Sequence, residues 1–517
     1  MLFNSYIFIF IFFPLTLIGY YTLNRYHDRF GVLWLFGASL FYYGHWNPVY
    51  IVLILGSIIV NYIIGYLLVD QRKNRKLILI IGITLNLLCI GYFKYANFFI
   101  ENYNSVTGGN LITENIILPI GISFFTFQQI AFLVDTYQNK TCEYNLLNYC
   151  LFISFFPQLI AGPIVHHKEM MPQFSDKQTK KINYDNLGAG ISIFSIGLLK
   201  KIHFADLFAN YASPVFHAAD HGTDVMFFQA WIATLAYTFQ LYFDFSGYTD
   251  MAIGIARMFN IHLPINFNSP YKSSNIIAFW RTWHITLSRF LKNYLYIPLG
   301  GNQKGSFRRY INLMITMLLG GLWHGASWNF VLWGGLHGAF LTINNLWRST
   351  KIQSLFEPLK IPDRLAASLS ILVTFLSVAF AWVLFRAESF GGAIRVYKGL
   401  LGINGIHLLV EYLEQFNSFF DIGYALAIHG LQFIQMDMFI DLQGKVLFLV
   451  AVIIIWGMPN THEIFHPDCM GMPESKSPLK NWFSFQFSYR WLAFVSMAFL
   501  LSIKFLYRVS EFLYYDF

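Results

Sequence analysis

The run GGLWHGASWNFVLWGGLHG, residues 320–338, sets His324 and His337 among glycines, tryptophans and aliphatic side chains. A tight core or a bilayer penalises a polar group that finds no partner, so the reading of this run depends on the solvent that the chain is built for. Composition answers that. Of 517 residues, 56% are hydrophobic, 19% aromatic and only 12% charged, with 55 phenylalanines. A water-soluble domain carries about a quarter charged residues. This chain lacks the polar surface to face water and reads as an all-α, polytopic integral membrane protein.

Working outward, spans of about 20 apolar residues are expected near 5–23, 30–46, 48–69, 77–93, 117–134, 146–163, 187–199, 226–243, 311–326, 328–346, 366–385, 445–457 and 488–507. That amounts to roughly 11–13 spanning or re-entrant helices. The first apolar run has neither a basic leader nor a small-x-small cleavage site and reads as a retained span rather than a signal peptide. The net charge is +8, but the basic residues form no stripe interleaved with aromatics, which argues against a nucleic-acid partner. They cluster at 71–76, 177–181, 200–201, 304–309 and 476–480, the pattern of cytoplasmic loops. With Arg25–Arg29 and Arg72–Lys76 inside, the N-terminus lies outside.

Two regions resist that scheme. Residues 146–163 have basic flanks on both sides and contain Pro157 and Pro163, which predicts a re-entrant segment that does not cross fully. Residues 260–272 are too polar to span. The following Phe279–Phe290 stretch, rich in aromatic, basic and hydroxyl residues, predicts an interfacial or partly embedded helix. On such a helix His284 would share a face with Trp280 and Ser288, and His324 would likewise align with Gly320 and Trp328. The loop at 403–440 is expected to hold amphipathic helices. The chain reads as one membrane domain over 1–517: N-terminal helices to 110, a histidine-bearing core over 111–346, and C-terminal helices and a loop over 347–517.

The chemistry-bearing residues are few. An intramembrane histidine can move a proton or activate a hydroxyl for attack on an ester or thioester carbonyl, and His284 and His324 are the candidates. The alternative for such a pair is a proton relay in a transporter. His337 lacks polar neighbours in sequence and reads as structural or interfacial. Asp244 and Asp250 would orient a histidine, pair with Arg257 or Arg281, or line a water-filled cavity, pairing being the favoured role. His462-Glu-Ile-Phe-His466 fits HExxH, but Pro459 and Pro467 leave little helix to present zinc ligands, so no metal is expected. Gly300–Gly305 lacks a phosphate-binding pattern and reads as a turn. Cys89, Cys142, Cys150 and Cys469 form no CxxC pair and suggest neither a disulfide framework nor a metal knuckle.

Taken in order, several blocks resemble the membrane-bound O-acyltransferases, and among them the bacterial alginate O-acetyltransferase branch. They are Leu118–Gln128, Phe155–Pro163, Tyr242–Asp250, Phe279–Ser288, Tyr294–Asn302, Gly321–Phe330, Trp382–Ala387 and Trp456–Thr461. The resemblance implies a ring of helices around a thin, funnel-like centre with a substrate tunnel. It places the catalytic histidine at His324 and the second motif residue at His284; Asp244, Trp323, Trp328 and Asn329 are added as candidate residues of the substrate tunnel. It also absorbs the HExxH run into an ordinary C-terminal loop. The implied activity is transfer of acetyl from a cytoplasmic donor, acetyl-CoA or an acylated carrier, with no permanently bound cofactor. The acceptor would be an exported polysaccharide such as alginate, or alternatively peptidoglycan or another glycan. An acetyltransferase partner in the periplasm and a place in the bacterial inner membrane, among its lipids, complete the expectation.

Overall fold

Inside a bilayer every backbone N–H and C=O must find its partner within the protein, and a helix achieves this within one segment. The computed structural model follows that rule; it describes residues 1–70, 73–113, 116–141, 145–349, 362–409, 432–434, 440–465, 484–507 and 513. The first helices are α1 (Phe13–Tyr26, led by a π turn over Phe8–Phe12), α2 (Asp28–Gly44), α3 (Val49–Asp70), α4 (Arg75–Ile90) and α5 (Ala96–Thr107). A π turn at Gly91–Tyr95 joins α4 to α5. Next come α6 (Ile122–Tyr137), α7 (Leu146–Ser154), α8 (Phe156–Leu159), α9 (His167–Ser175), α10 (Tyr184–Leu199), α11 (Asp206–Asp220) and α12 (Phe227–Met258). The last group is α13 (Ile276–Thr282), α14 (Ile285–Leu291), α15 (Gly305–His324), α16 (Trp328–Ser349), α17 (Asp363–Arg386), α18 (Phe390–Leu400), α19 (Leu442–Val452), α20 (Thr461–Phe465) and α21 (Tyr489–Lys504).

Among the described residues, four helical stretches are long and apolar enough to span on their own: Phe8–Tyr26, Val49–Asp70, Arg75–Thr107 and Asp363–Arg386. The other long helices carry polar groups that are buried against each other. In α12, Gln240, Asp244, Ser246, Thr249 and Asp250 are all buried. Two glycine pairs let α10 press against α12: a Cβ on Gly190 would lie 2.6 Å from the Gly254 carbonyl, and one on Gly197 would lie 2.6 Å from that of Gly247.

Lys200 and Lys201 do not sit in a loop. They sit in a π turn (Lys200–Ala205) that joins α10 to α11. Lys201 Nζ is 2.6 Å from Asp244 Oδ1 and 2.9 Å from Asp206 Oδ1, and Lys200 Nζ is 2.7 Å from Asp250 Oδ2. Carboxylates from α12 neutralise both lysines, which is how charge survives at depth. It also settles the pairing of Asp244 and Asp250, whose ion-pair partners are these lysines rather than Arg257 or Arg281.

Residues 146–163 form two short pieces that break at Phe155. At 1.5 Å per residue the nine residues of α7 reach about 14 Å, against about 30 Å of hydrocarbon. The break is wrapped in protein: Gln158 Nε2 donates to the Phe152 carbonyl at 2.6 Å, and the Phe156 N–H donates to Ser39 Oγ on α2 at 3.2 Å. Residues 260–269 are irregular, as their polarity predicts.

The Phe279–Phe290 stretch differs from its expectation in one respect. Phe279, Trp283, Leu287 and Phe290 lie in the core while Arg281 is exposed, and the stretch is two helices, α13 and α14, rather than one. In the 403–440 region the described residues are 403–406, 440 and two three-residue strands, β1 (His407–Leu409) and β2 (Gln432–Ile434), paired in parallel with His407 opposite Gln432. The rest of that loop, the basic cluster at 476–480, Cys142 and Cys469 lie outside the described residues.

Candidate active site

His324 is the last residue of α15, and Gly325 turns the chain into an extended conformation (φ −164°, ψ 152°). The chain then returns as α16, so Trp328 begins a new helix and does not share a face with His324. The two helices touch through Gly321 and Gly334: a Cβ on Gly321 would lie 2.1 Å from the Phe330 carbonyl, and one on Gly334 would lie 2.2 Å from that of Met317. Only glycine allows that approach, and it keeps the imidazole inside the protein, 4% exposed. Aromatic rings box it in: Trp323 at 5.0 Å between centroids, Phe385 at 5.1 Å and Trp333 at 5.2 Å, the last edge-on.

A helix that ends inside a protein leaves its last carbonyls without intrahelical donors. Here they are met from the π turn at Gly91–Tyr95. Lys94 Nζ donates to the Trp323 carbonyl at 2.5 Å and to that of His324 at 3.2 Å, and the Tyr95 hydroxyl donates to the Leu322 carbonyl at 2.8 Å. Neither residue was among those that the sequence singled out. A lysine at the end of an apolar run reads as a snorkelling anchor, and nothing local announces that it reaches another helix.

His284 occupies the break between α13 and α14 with left-handed backbone angles (φ 41°, ψ 55°). The helical alignment with Trp280 and Ser288 is therefore lost. Asn266, fully buried in the irregular 260–269 segment, holds the break. Its Oδ1 accepts the Thr286 hydroxyl at 2.6 Å and the Thr286 N–H at 3.3 Å, and it lies 3.3 Å from His284 Nδ1. The Ile285 N–H donates to the Asn266 carbonyl at 2.9 Å, and the Ile164 N–H of the broken 146–163 region donates to Thr286 Oγ1 at 3.0 Å. Three separated stretches thus converge on His284. Asn266 and Thr286 hold the backbone of candidate residue His284 and were missed by the sequence reading; the Asn-Phe-Asn and Ile-Thr-Leu-Ser runs held the polar groups, but not their pairing.

Trp323 joins the two histidines, its ring centroid 6.2 Å from His284 and 5.0 Å from His324. Beneath Trp323 lies a stacked pillar, Phe127 at 5.2 Å and then Phe290 at 4.0 Å from Phe127. His337 is more engaged than its sequence context suggests. It is fully buried, its Nδ1 accepts the Trp280 indole N–H at 3.3 Å, and its ring lies 4.7 Å from Trp333, the ring that His324 also touches.

The expected tunnel residues scatter. Trp323 is at the site. Asn329 is buried but spends its Nδ2 on the Ala387 carbonyl at 2.8 Å, tying the start of α16 to the end of α17. Trp328 is 58% exposed and donates to Asn102 Oδ1 at 2.8 Å. Asp244 is in the lysine cluster of α10–α12. As for the HExxH run, His462 Nε2 lies 3.4 Å from Asp250 Oδ1, and Glu463 Oε2 accepts the Asn460 N–H at 2.9 Å. His466 lies outside the described residues.

This arrangement gives two buried imidazoles around one indole at a fixed helix end. An imidazole so held can take a proton from a hydroxyl or carry an acyl group in transit. Comparison with known proteins points to acyl transfer. The sequence model of the membrane-bound O-acyltransferase family matches residues 66–380, from within α3 to within α17. A peptidoglycan O-acetyltransferase of Helicobacter pylori is 42% identical over 100% of this chain and 98% of its own length. A probable alginate O-acetylase of Pseudomonas aeruginosa is 39% identical over 77% of this chain and 75% of its own. A teichoic acid D-alanyltransferase of Bacillus subtilis is 28% identical over 54% and 71%. The chain belongs to the membrane-bound O-acyltransferase family and is an acyl-transferring enzyme.

Proposed function

We propose that this enzyme takes an acetyl group from a thioester donor on the cytoplasmic side, acetyl-CoA or an acylated carrier protein, and passes it outward for O-acetylation of peptidoglycan. The observation that carries the chemistry is the placing of His324 at a buried, capped helix end, one indole away from His284. His324 acts as the general base: it takes the proton of the attacking hydroxyl while the ester C–O bond forms, and it returns that proton to the departing thiolate as the C–S bond breaks. The same imidazole serves equally as a transient acyl carrier. His284 orients the donor or the acceptor.

The acceptor is argued from the end-to-end likeness to the peptidoglycan O-acetyltransferase, which spans 100% of this chain against 77% for the alginate relative. An exported polysaccharide of the alginate kind is the second reading, favoured by 39% identity over that shared part. In either case the enzyme lies in the bacterial inner membrane with its N-terminus outside, and an acetyltransferase partner on the outer side completes the transfer. The test is to delete the gene and measure alkali-released acetate from purified peptidoglycan and from each other surface glycan, with and without complementation. Loss confined to peptidoglycan supports the reading, and loss confined to another glycan reassigns the acceptor. Unchanged ester in every polymer contradicts the proposal.

A further inference from the structure

We infer that Lys94 is a positioning residue for the acyl-transfer site: an amine clamp, reaching over from the α4–α5 junction, that fixes the end of α15 and with it the imidazole of His324. The inference rests on the catalytic role proposed for His324. Three observations carry it. The first is geometric: of the last carbonyls of α15, those of Leu322, Trp323 and His324 are all met by Tyr95 and Lys94, within hydrogen-bonding distance. No glycine C-cap is available to do this work, since Gly325 is extended rather than left-handed.

The second is electrostatic. Lys94 contacts two carbonyls and the face of Trp323, with its Nζ 5.8 Å from the ring centroid, rather than a carboxylate. Donor N–H groups set at the carbonyl end of a helix complement its dipole and satisfy carbonyls that have no intrahelical partner. Trp323 is therefore gripped twice, by its carbonyl and by its ring, and it is the side chain that lies between His284 and His324.

The third is the local backbone. Gly91–Tyr95 is a π turn inserted between two α-helical stretches. An extra residue in a helical turn re-aims the side chains that follow it, and such turns gather at functional sites. Here the π turn aims successive residues, Lys94 and Tyr95, at one partner helix. A displacement of about 1 Å in a catalytic group can cost about 100-fold in rate, so loosening this clamp should be felt in the chemistry.

The experiment compares Lys94→Met, Lys94→Arg, Tyr95→Phe and His324→Ala at matched membrane levels. It reads peptidoglycan acetyl ester in cells and hydrogen–deuterium exchange of the 318–328 segment in the purified protein. Lys94→Met is expected to cut acetylation at least about tenfold and to raise exchange in that segment alone. Lys94→Arg, which keeps N–H donors, restores most of both, and Tyr95→Phe gives a smaller change of the same kind. Wild-type acetylation and exchange in Lys94→Met would overturn the clamp, as would exchange that rises throughout the protein. If His324→Ala keeps its acetylation, the catalytic reading fails separately, while the exchange data still decide whether Lys94 holds the helix end.

Discussion

A histidine at φ 41° is an expensive way to break a helix, because a non-glycine residue with positive φ costs of order 1 kcal/mol or more. The surrounding hydrogen bonds over-determine it: Asn266 grips both His284 and Thr286, and Ile164 adds a third element. Asparagine tolerates this region of backbone space, whereas a β-branched residue does not. His284→Asn is therefore expected to reach the membrane at wild-type levels with its unfolding midpoint in detergent close to wild type. His284→Val should unfold at a clearly lower temperature. Both should lose acetyl transfer, since neither supplies an imidazole. An active His284→Asn would reduce His284 to a backbone device. None of this conformation was legible in the sequence, because the polar and apolar residues of Phe279–Phe290 keep helical spacing straight through the break.

At the scale of elements, the α15–α16 hairpin positions His324 through a contact too close for any side chain. Gly321→Ala places a methyl 2.1 Å from the Phe330 carbonyl, and such overpacking typically costs about 1–3 kcal/mol. The variant should show a lower unfolding midpoint and reduced acetyl transfer. Gly335→Ala meets only a Leu318 methyl, at 3.4 Å, and should match wild type in both measurements. Equal behaviour of the two variants would count against the hairpin as the element that sets the site. The glycines around His324 did announce close packing in the sequence. The helix end at His324 was hidden, which is why Trp328 was expected beside it and instead lies exposed at the start of the next helix.

For the molecule as a whole, composition and apolar runs sufficed for an all-helical membrane protein, and proline placement sufficed for the broken 146–163 segment. Charge patterning needed the fold. Lys200 and Lys201 read as loop residues because one-dimensional patterning cannot see Asp244 and Asp250 on α12, where the partners wait. Removing one member of a buried ionic cluster strands the others, at a cost of about 3–5 kcal/mol. Lys201→Met is thus expected to lower membrane accumulation and the unfolding midpoint. Adding Asp206→Asn and Asp244→Asn should recover much of the loss, as measured by fluorescence-detected gel filtration across a temperature series. A triple variant no better than Lys201→Met would show that the lysine contributes something other than charge balance.

The central claim is that the buried imidazole of His324 performs the acyl transfer. The measurement that addresses it most directly is the acetyl-ester content of peptidoglycan in a deletion strain complemented with His324→Ala, at wild-type membrane levels and with an unchanged unfolding midpoint. The account predicts a fall of at least about 100-fold in the rate of ester formation, to the level of the deletion itself. Acetylation at the wild-type level in that strain would contradict it.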